Sequence, residues 1–125
     1  MQINLHEDIP IFMQIAKATE EAILSGAFPE ESQVPSTTEI SSQYKINPAT
    51  IMKGMGILVE THILYKKRGI GMFVQKGAVD AILQQRQEHF FENYIISMLR
   101  EASKLHITKE ALITMIERGI QHVQD

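Results

Sequence analysis

Three short groups of side chains carry most of the chemistry this sequence offers. Ser36, Thr37 and Thr38 gather hydroxyls where a helix is expected to begin. Asn47, Ala49, Thr50 and Lys53 fall on the opening turns of the helix that follows. Lys66, Lys67 and Arg68 run directly into Gly69-Ile70-Gly71. Hydroxyls beside the free N–H groups of a helix start suit a phosphate oxygen. An amide, a methyl, a hydroxyl and an ammonium near a helix N-terminus suit base edges in the major groove of duplex DNA. Lys53 can donate to guanine acceptors or to a phosphate, and Ala49 can touch a thymine methyl. Gly69 and Gly71 let a backbone approach a ligand closely. Arg68 suits a narrow, electronegative minor groove, and Lys66 and Lys67 suit the phosphate backbone. Ser36 and Asn47 are also helix caps, a role they fill with or without a ligand. Lys66 and Lys67 alternate across a strand, so one of them can simply be solvated.

Other chemistries find little support. The chain has 125 residues and no cysteine, which excludes disulfides, thiolate catalysis and Cys-based zinc sites. His6, His62, His89, His106 and His122 are scattered. Glu88, His89 and Glu92 share a helical neighbourhood that raises metal binding, but a solvated helix face explains them as well. No phosphate loop, nucleophile elbow or paired-carboxylate motif occurs, so no enzyme, metal or cofactor is expected. There is no apolar run long enough to cross a membrane. The first residues carry acid rather than a basic signal region, and a cytoplasmic location is expected.

Charge is distributed unevenly. Residues 44–77 hold Lys45, Lys53, Lys66, Lys67, Arg68 and Lys76 against Glu60 alone. Six cations against one acid give +5 there, which leaves −8 on the remainder of a chain whose formal net charge is −3. A basic stretch inside an acidic protein is either a footprint for phosphate or a solvated surface.

The elements that would position these residues are mostly helical. Pro10 suits a first helical position, and Ile11, Ile15, Ala18 and Ala22 recur at helical spacing up to a stop at Gly26. Residues 28–32 read as a loop. Ser36 and Glu39 form a capping box for a short helix anchored by Ile40 and ending at Tyr44. Lys45-Ile46 makes a turn, and Asn47-Pro48 then caps a third helix through Ile51, Met55 and Leu58 to about Thr61. Two helices so joined make a helix-turn-helix. Residues 64–67 and 72–75 are strand candidates joined by Arg68-Gly69-Ile70-Gly71, a basic hairpin in the position of a wing. Residues 78–104 predict one long helix with a wide apolar stripe, and Thr108 can cap a last helix.

In that order the motifs resemble the GntR family of bacterial transcriptional regulators. Pro10-Ile11-Phe12-Met13-Gln14-Ile15 resembles its P-I-Y-x-Q-I start, and Ile23-Leu24-Ser25-Gly26 its I-x-x-G helix end. Val34-Pro35-Ser36-Thr37-Thr38-Glu39-Ile40-Ser41 resembles L-P-S-x-R-x-L-A. Ile46-Asn47-Pro48-Ala49-Thr50-Ile51-Met52-Lys53 resembles the recognition helix V-N-P-x-T-V-x-[KR], and Arg68-Gly69-Ile70-Gly71-Met72-Phe73-Val74 the wing R-G-x-G-x-F-V. The Asn-Pro start and the short helical tail resemble the YtrA-type branch, which the resemblance implies dimerises through that tail. Thr38 stands where many members carry an arginine, Pro48 where other branches carry a second one, Met55 replaces a frequent tyrosine, and His62 stands where glycine is preferred. Gly54 and Gly56 lie inside the recognition helix, marking close packing or neutral positions, with a helix that orders only on DNA as the alternative.

The fold class expected is mainly α with a small β-hairpin: a winged helix-turn-helix domain over residues 1–76, followed by two C-terminal helices in 77–125. The tail's stripe, formed by Leu83, Phe90, Phe91, Tyr94, Ile95, Met98 and Leu99 with Leu112, Met115, Ile116 and Ile120, is too large for so few residues to bury alone. A second copy is therefore the expected cover, with a ligand-pocket wall as the alternative. The functional expectation is a homodimeric repressor on an inverted-repeat DNA operator. Any small-molecule effector would act through the tail, and the resemblance implies control of nearby transport genes. The rival reading is a winged-helix adaptor whose basic wing binds an acidic protein.

Overall fold

The first helix, α1 (Ile11–Leu24), turns Ile15, Ala16, Thr19 and Ile23 inward. Pro10 lies just outside it, as the N-cap rather than the first helical residue, with φ −53° and ψ 143°. Its carbonyl accepts from the N–H groups of Met13 at 3.0 Å and Gln14 at 3.1 Å, so the ring closes the helix end without entering it. The buried Gln14 side chain fastens the segment before α1 to the helix. Its Oε1 accepts from the Asn4 N–H at 2.7 Å, and its Nε2 donates to the carbonyls of Asn4 at 2.8 Å and Ile9 at 2.9 Å.

The next two helices are α2 (Thr37–Tyr44) and α3 (Pro48–Glu60). The Ser36 capping box closes in both directions: the Glu39 N–H donates to Oγ at 3.0 Å, and the Ser36 N–H donates to Glu39 Oε1 at 3.2 Å. Lys45 ends α2 in the left-handed region, with φ 55°. Asn47 then caps α3, its Oδ1 accepting from the Ala49 N–H at 2.9 Å. Ile51, Gly54, Met55 and Leu58 point inward. At Gly54, α1 and α3 come so close that a Cβ would lie 2.6 Å from the Phe12 carbonyl oxygen. His62 takes up the left-handed conformation after α3, with φ 62°.

The hairpin pairs β1 (Leu64–Lys67) with β2 (Gly71–Val74), Leu64 opposite Val74 and Lys67 opposite Gly71. The second strand thus begins one residue earlier than expected, because Gly71 takes up the pairing opposite Lys67. A third segment joins along β2. The N–H groups of Glu31 and Val34 donate to Val74 and Met72, and Val74 donates back to Ser32. The stretch read as a loop therefore leads into a bridge at Gln33 opposite Phe73.

The computed structural model describes residues 2–124, so Met1 and Asp125, the outer limits of the expected domains, lie outside the described residues. The chain divides into two compact units, Met1–Gln84 and Gln85–Asp125. The core of the first includes Ile15, Ile23, Ile51, Met55, Leu58, Ile63 and Leu64, joined by Ala78 and Ile82 from α4 (Ala78–Phe90).

The expected single helix over residues 78–104 is interrupted. After α4 comes a π-helical turn, Phe91–Ile95, and then α5 (Ile96–Lys104). The wider turn falls in an aromatic run with neither glycine nor proline to announce it, and its Tyr94 ring lies 5.4 Å from that of Phe90, the last residue of α4. Thr108 caps α6 (Lys109–Gln124), its hydroxyl accepting from the Ala111 N–H at 3.1 Å. Among the described residues of this second unit, only Ala102 is buried.

Candidate nucleic-acid interface

The three chemical groups read from the sequence all belong to the first unit, on elements that local rules make rigid. The capping box fixes the start of α2, and Asn47-Pro48 fixes the start of α3. The hairpin is braced from behind by the strand-like segment at Gln33. A groove of about 400 Å³ lies between α3 and the hairpin. Its lining includes Thr37 from α2, Met52 and Gly56 from α3, and Lys66, Arg68 and Ile70 from the hairpin.

The tip of the hairpin is held by two contacts. The Ile70 N–H donates to the Lys67 carbonyl at 3.0 Å, closing the turn. Gln33 Nε2 donates to the Ile70 carbonyl, also at 3.0 Å. Gly71 suits the backbone beneath that amide: its φ is +146°, which L side chains rarely adopt, and a Cβ there would also push Gln33 Nε2 aside from 2.5 Å. Gly69, with φ +77°, has open space where a Cβ would be. The turn therefore presents backbone and Arg68 with little to obstruct an approaching polymer.

The basic residues are not equivalent. Arg68 and Lys66 are exposed. Lys67 Nζ sits over the Phe73 ring, 4.4 Å from its centroid and 5.9 Å from that of Tyr65, and those two rings stack at 5.7 Å. Lys53 Nζ lies 4.0 Å from the centroid of Phe12, so it leans onto α1. Cation–π contacts of this kind hold an exposed ammonium by about 0.5–1 kcal/mol, little enough for a phosphate to compete.

Of the sequence-derived candidates, Thr37, Lys66, Lys67, Arg68, Gly69 and Gly71 line one groove. Ser36, Thr38, Asn47 and Ala49 are exposed at the starts of α2 and α3, whereas Thr50 is half-buried. Sequence reasoning passed over Met52, Gly56 and Ile70. The signal was present, since Met52 and Gly56 follow Ala49 at helical spacing, on a flank of α3 turned away from the buried Ile51 and Leu58. A methionine and a glycine simply carry no charge to draw attention. Among the described residues no cluster of His, Asp or Glu could hold a metal ion, and no helix is long and apolar enough to cross a membrane.

The second unit exposes apolar side chains on all its helices: Phe90, Phe91, Tyr94 and Leu99 before the last connection, Met115, Ile116 and Ile120 after it. Ile95, Met98 and Leu112 are half-buried. Leu83, expected on the same stripe, is exposed within the first unit. Ile113 is also exposed and was not among the candidates.

Comparison with known proteins bears on this whole arrangement. The family model for bacterial regulatory proteins of the GntR family matches residues 13–74. A crystal structure described as a GntR-family transcriptional regulator from Bacteroides thetaiotaomicron is 33% identical, with a TM-score of 0.76 over 92% of this chain and 99% of that one. The HTH-type transcriptional repressor NagR of Bacillus subtilis is 32% identical over 84 residues, which is 67% of this chain and 35% of that protein. The HTH-type transcriptional repressor YtrA of the same organism is 26% identical over 84 residues, 67% of this chain and 65% of that one. The chain thus spans about a third of NagR and nearly two thirds of YtrA.

Proposed function

The chain belongs to the GntR family; we propose that it is a DNA-binding transcription regulator of the YtrA-type branch, not an enzyme, and that it works as a homodimeric repressor on an inverted-repeat operator. The observation that carries the reading is the single groove in which the start of α2, the outward side of α3 and a braced basic hairpin meet. In this reading α3 enters the major groove. Asn47, Ala49, Thr50 and Lys53 meet base edges there, with Lys53 swinging off Phe12 to do so. Ser36, Thr37 and Thr38 take a phosphate at the α2 N-terminus. Lys66 and Lys67 follow the backbone, and Arg68, at the head of the single turn that holds Gly69, reaches the minor groove.

Residues 1–76 supply these contacts and residues 77–125 pair two copies. A dimer with a twofold axis presents its two α3 helices symmetrically, so its operator is an inverted repeat. Occupying a promoter suffices for repression, and the work lies in the bacterial cytoplasm, where promoter DNA is found. A small-molecule effector, where one operates, acts through the tail helices, and it must bind the two dimer arrangements with different affinity.

The test is selection of duplexes from a random pool by the full chain, followed by binding measurements at several salt concentrations. A symmetric enriched site and a steep fall of affinity with salt are expected. Binding to duplex DNA that is indifferent to sequence and salt would overturn the reading and favour an adaptor whose wing engages an acidic protein.

A further inference from the structure

Met52 is the one large apolar side chain that α3 leaves exposed, at 60%, while its neighbours Ile51, Met55 and Leu58 are buried. It stands one turn after the exposed Ala49 and one turn before Gly56, where nothing lies within 4 Å of a notional Cβ. It lines the same groove as Thr37, Lys66, Arg68 and Ile70. Lys53, beside it in sequence, is drawn aside onto Phe12. The middle of this flank of α3 is thus an exposed thioether beside an open Gly56, not a charge.

We propose that Met52 is a specificity-determining residue that selects thymine by packing against its C5-methyl group. The proposal rests on the DNA-binding reading above and adds to it a residue and a base. A thioether has no proton to donate, so it can hold neither a phosphate oxygen nor the acceptor edge of guanine or adenine. Of the groups that base pairs present in the major groove, the thymine methyl is the apolar one. Methionine is unbranched and polarisable, and it adapts its shape to a small apolar partner better than a β-branched residue would. Gly56 keeps the next turn low, so the base pair can come close to the helix. Ala49, one turn earlier, is too short to compete for the same methyl.

The experiment starts from the site that the full chain enriches from random duplexes. Each thymine of that site is replaced singly by deoxyuridine, which removes the methyl and leaves the hydrogen-bonding edge intact. With the unaltered protein, one thymine in each half-site is expected to lose roughly fourfold in affinity on demethylation, the worth of one methyl-sized group withdrawn from water. Met52→Ala should abolish the loss at that position alone, leaving any methyl effect due to Ala49 in place. Met52→Leu should preserve it, and circular dichroism of both variants checks that the fold is unchanged. If a preferred site emerges but no methyl effect depends on Met52, the assignment is overturned and the regulator reading stands. If no preferred site emerges, both fall together.

Discussion

Gly54 and Gly56 share a helix and differ in what surrounds them. A Cβ on Gly54 would meet the Phe12 carbonyl oxygen at 2.6 Å and Ile15 Cβ at 2.9 Å, while one on Gly56 would meet nothing. Backbone cannot step aside as a flexible side-chain end can. Gly54→Ala should therefore destabilise by about 1–3 kcal/mol through overpacking, more than the helix propensity it gains. Gly56→Ala should stabilise by about 0.5–1 kcal/mol, because alanine loses less backbone freedom on folding. Denaturant unfolding of both variants checks the pair; equal shifts would mean that the approach of α1 to α3 is not set at Gly54. The basic residues divide in the same way. Arg68 is exposed at the hairpin turn, whereas Lys67 already rests on Phe73 and Tyr65. Arg68→Ala should lower the slope of log affinity against log salt by about one unit, the effect of one cation withdrawn from the DNA and its counterions. Lys67→Ala should change that slope less and loosen the aromatic pair instead. Filter binding over a salt series separates them, and an unchanged slope for Arg68→Ala would remove Arg68 from the DNA surface.

Elements fixed by a few neighbouring residues were readable in the sequence, and elements fixed by distant partners were not. Ser36 with Glu39, Asn47 with Pro48, and Thr108 act within one turn, so their caps could be placed from residue types alone. The bridge at Gln33, the Gln14 clamp and the lean of Lys53 onto Phe12 all depend on residues brought together only by folding. The π-helical turn escaped for another reason: aromatic residues fit a straight helix and a widened one equally. Glu30 is a further distant partner. Its carboxylate accepts from the N–H groups of Gly77 at 2.8 Å and Val79 at 3.1 Å, so an acid from the loop after α1 caps the start of α4. The two backbone hydrogen bonds, first that of Gly77 and then that of Val79, hold its pKa below the usual carboxylate value of 4.5, with Lys76 adding a smaller pull in the same direction. A pKa lowered by folding means that the ionised form stabilises the fold. That contribution is complete above pH 4.5 and is lost as pH falls through the lowered folded value. Glu30→Gln should therefore be less stable than the unaltered protein at neutral pH, and the difference should shrink on acidification below that range. Unfolding curves at neutral and acidic pH check it; a difference independent of pH would mean that the amide caps as well as the carboxylate does.

At the scale of the molecule, the first unit buries a continuous core, while the second buries only Ala102 among its described residues. Tyr94 is 66% exposed, Phe90 56%, Ile120 54% and Phe91 53%, and a helical unit this small cannot pack such side chains by itself. Scattered apolar residues on a surface are ordinary, but side chains of this size on neighbouring helices are the mark of an interface. A second copy of the same chain offers an identical surface, and twofold pairing lets each residue meet its complement twice. Sedimentation at micromolar concentration should accordingly give a dimer. Tyr94→Glu combined with Ile116→Glu should give a monomer, because each charge would have to be buried without a partner. Both changes lie outside the first unit, so its core and its groove should survive, as unfolding and circular dichroism can verify. What the monomer loses is the linkage between two reading heads. In the dimer, the first α3 to bind raises the effective concentration of the second at its half-site, and affinity gains by orders of magnitude without any new contact. The double variant should thus bind a single half-site as the unaltered protein does, and gain nothing when the second half-site is restored. Equal advantage from the full site in both proteins would show that the tail does not pair the heads, whatever its state in solution.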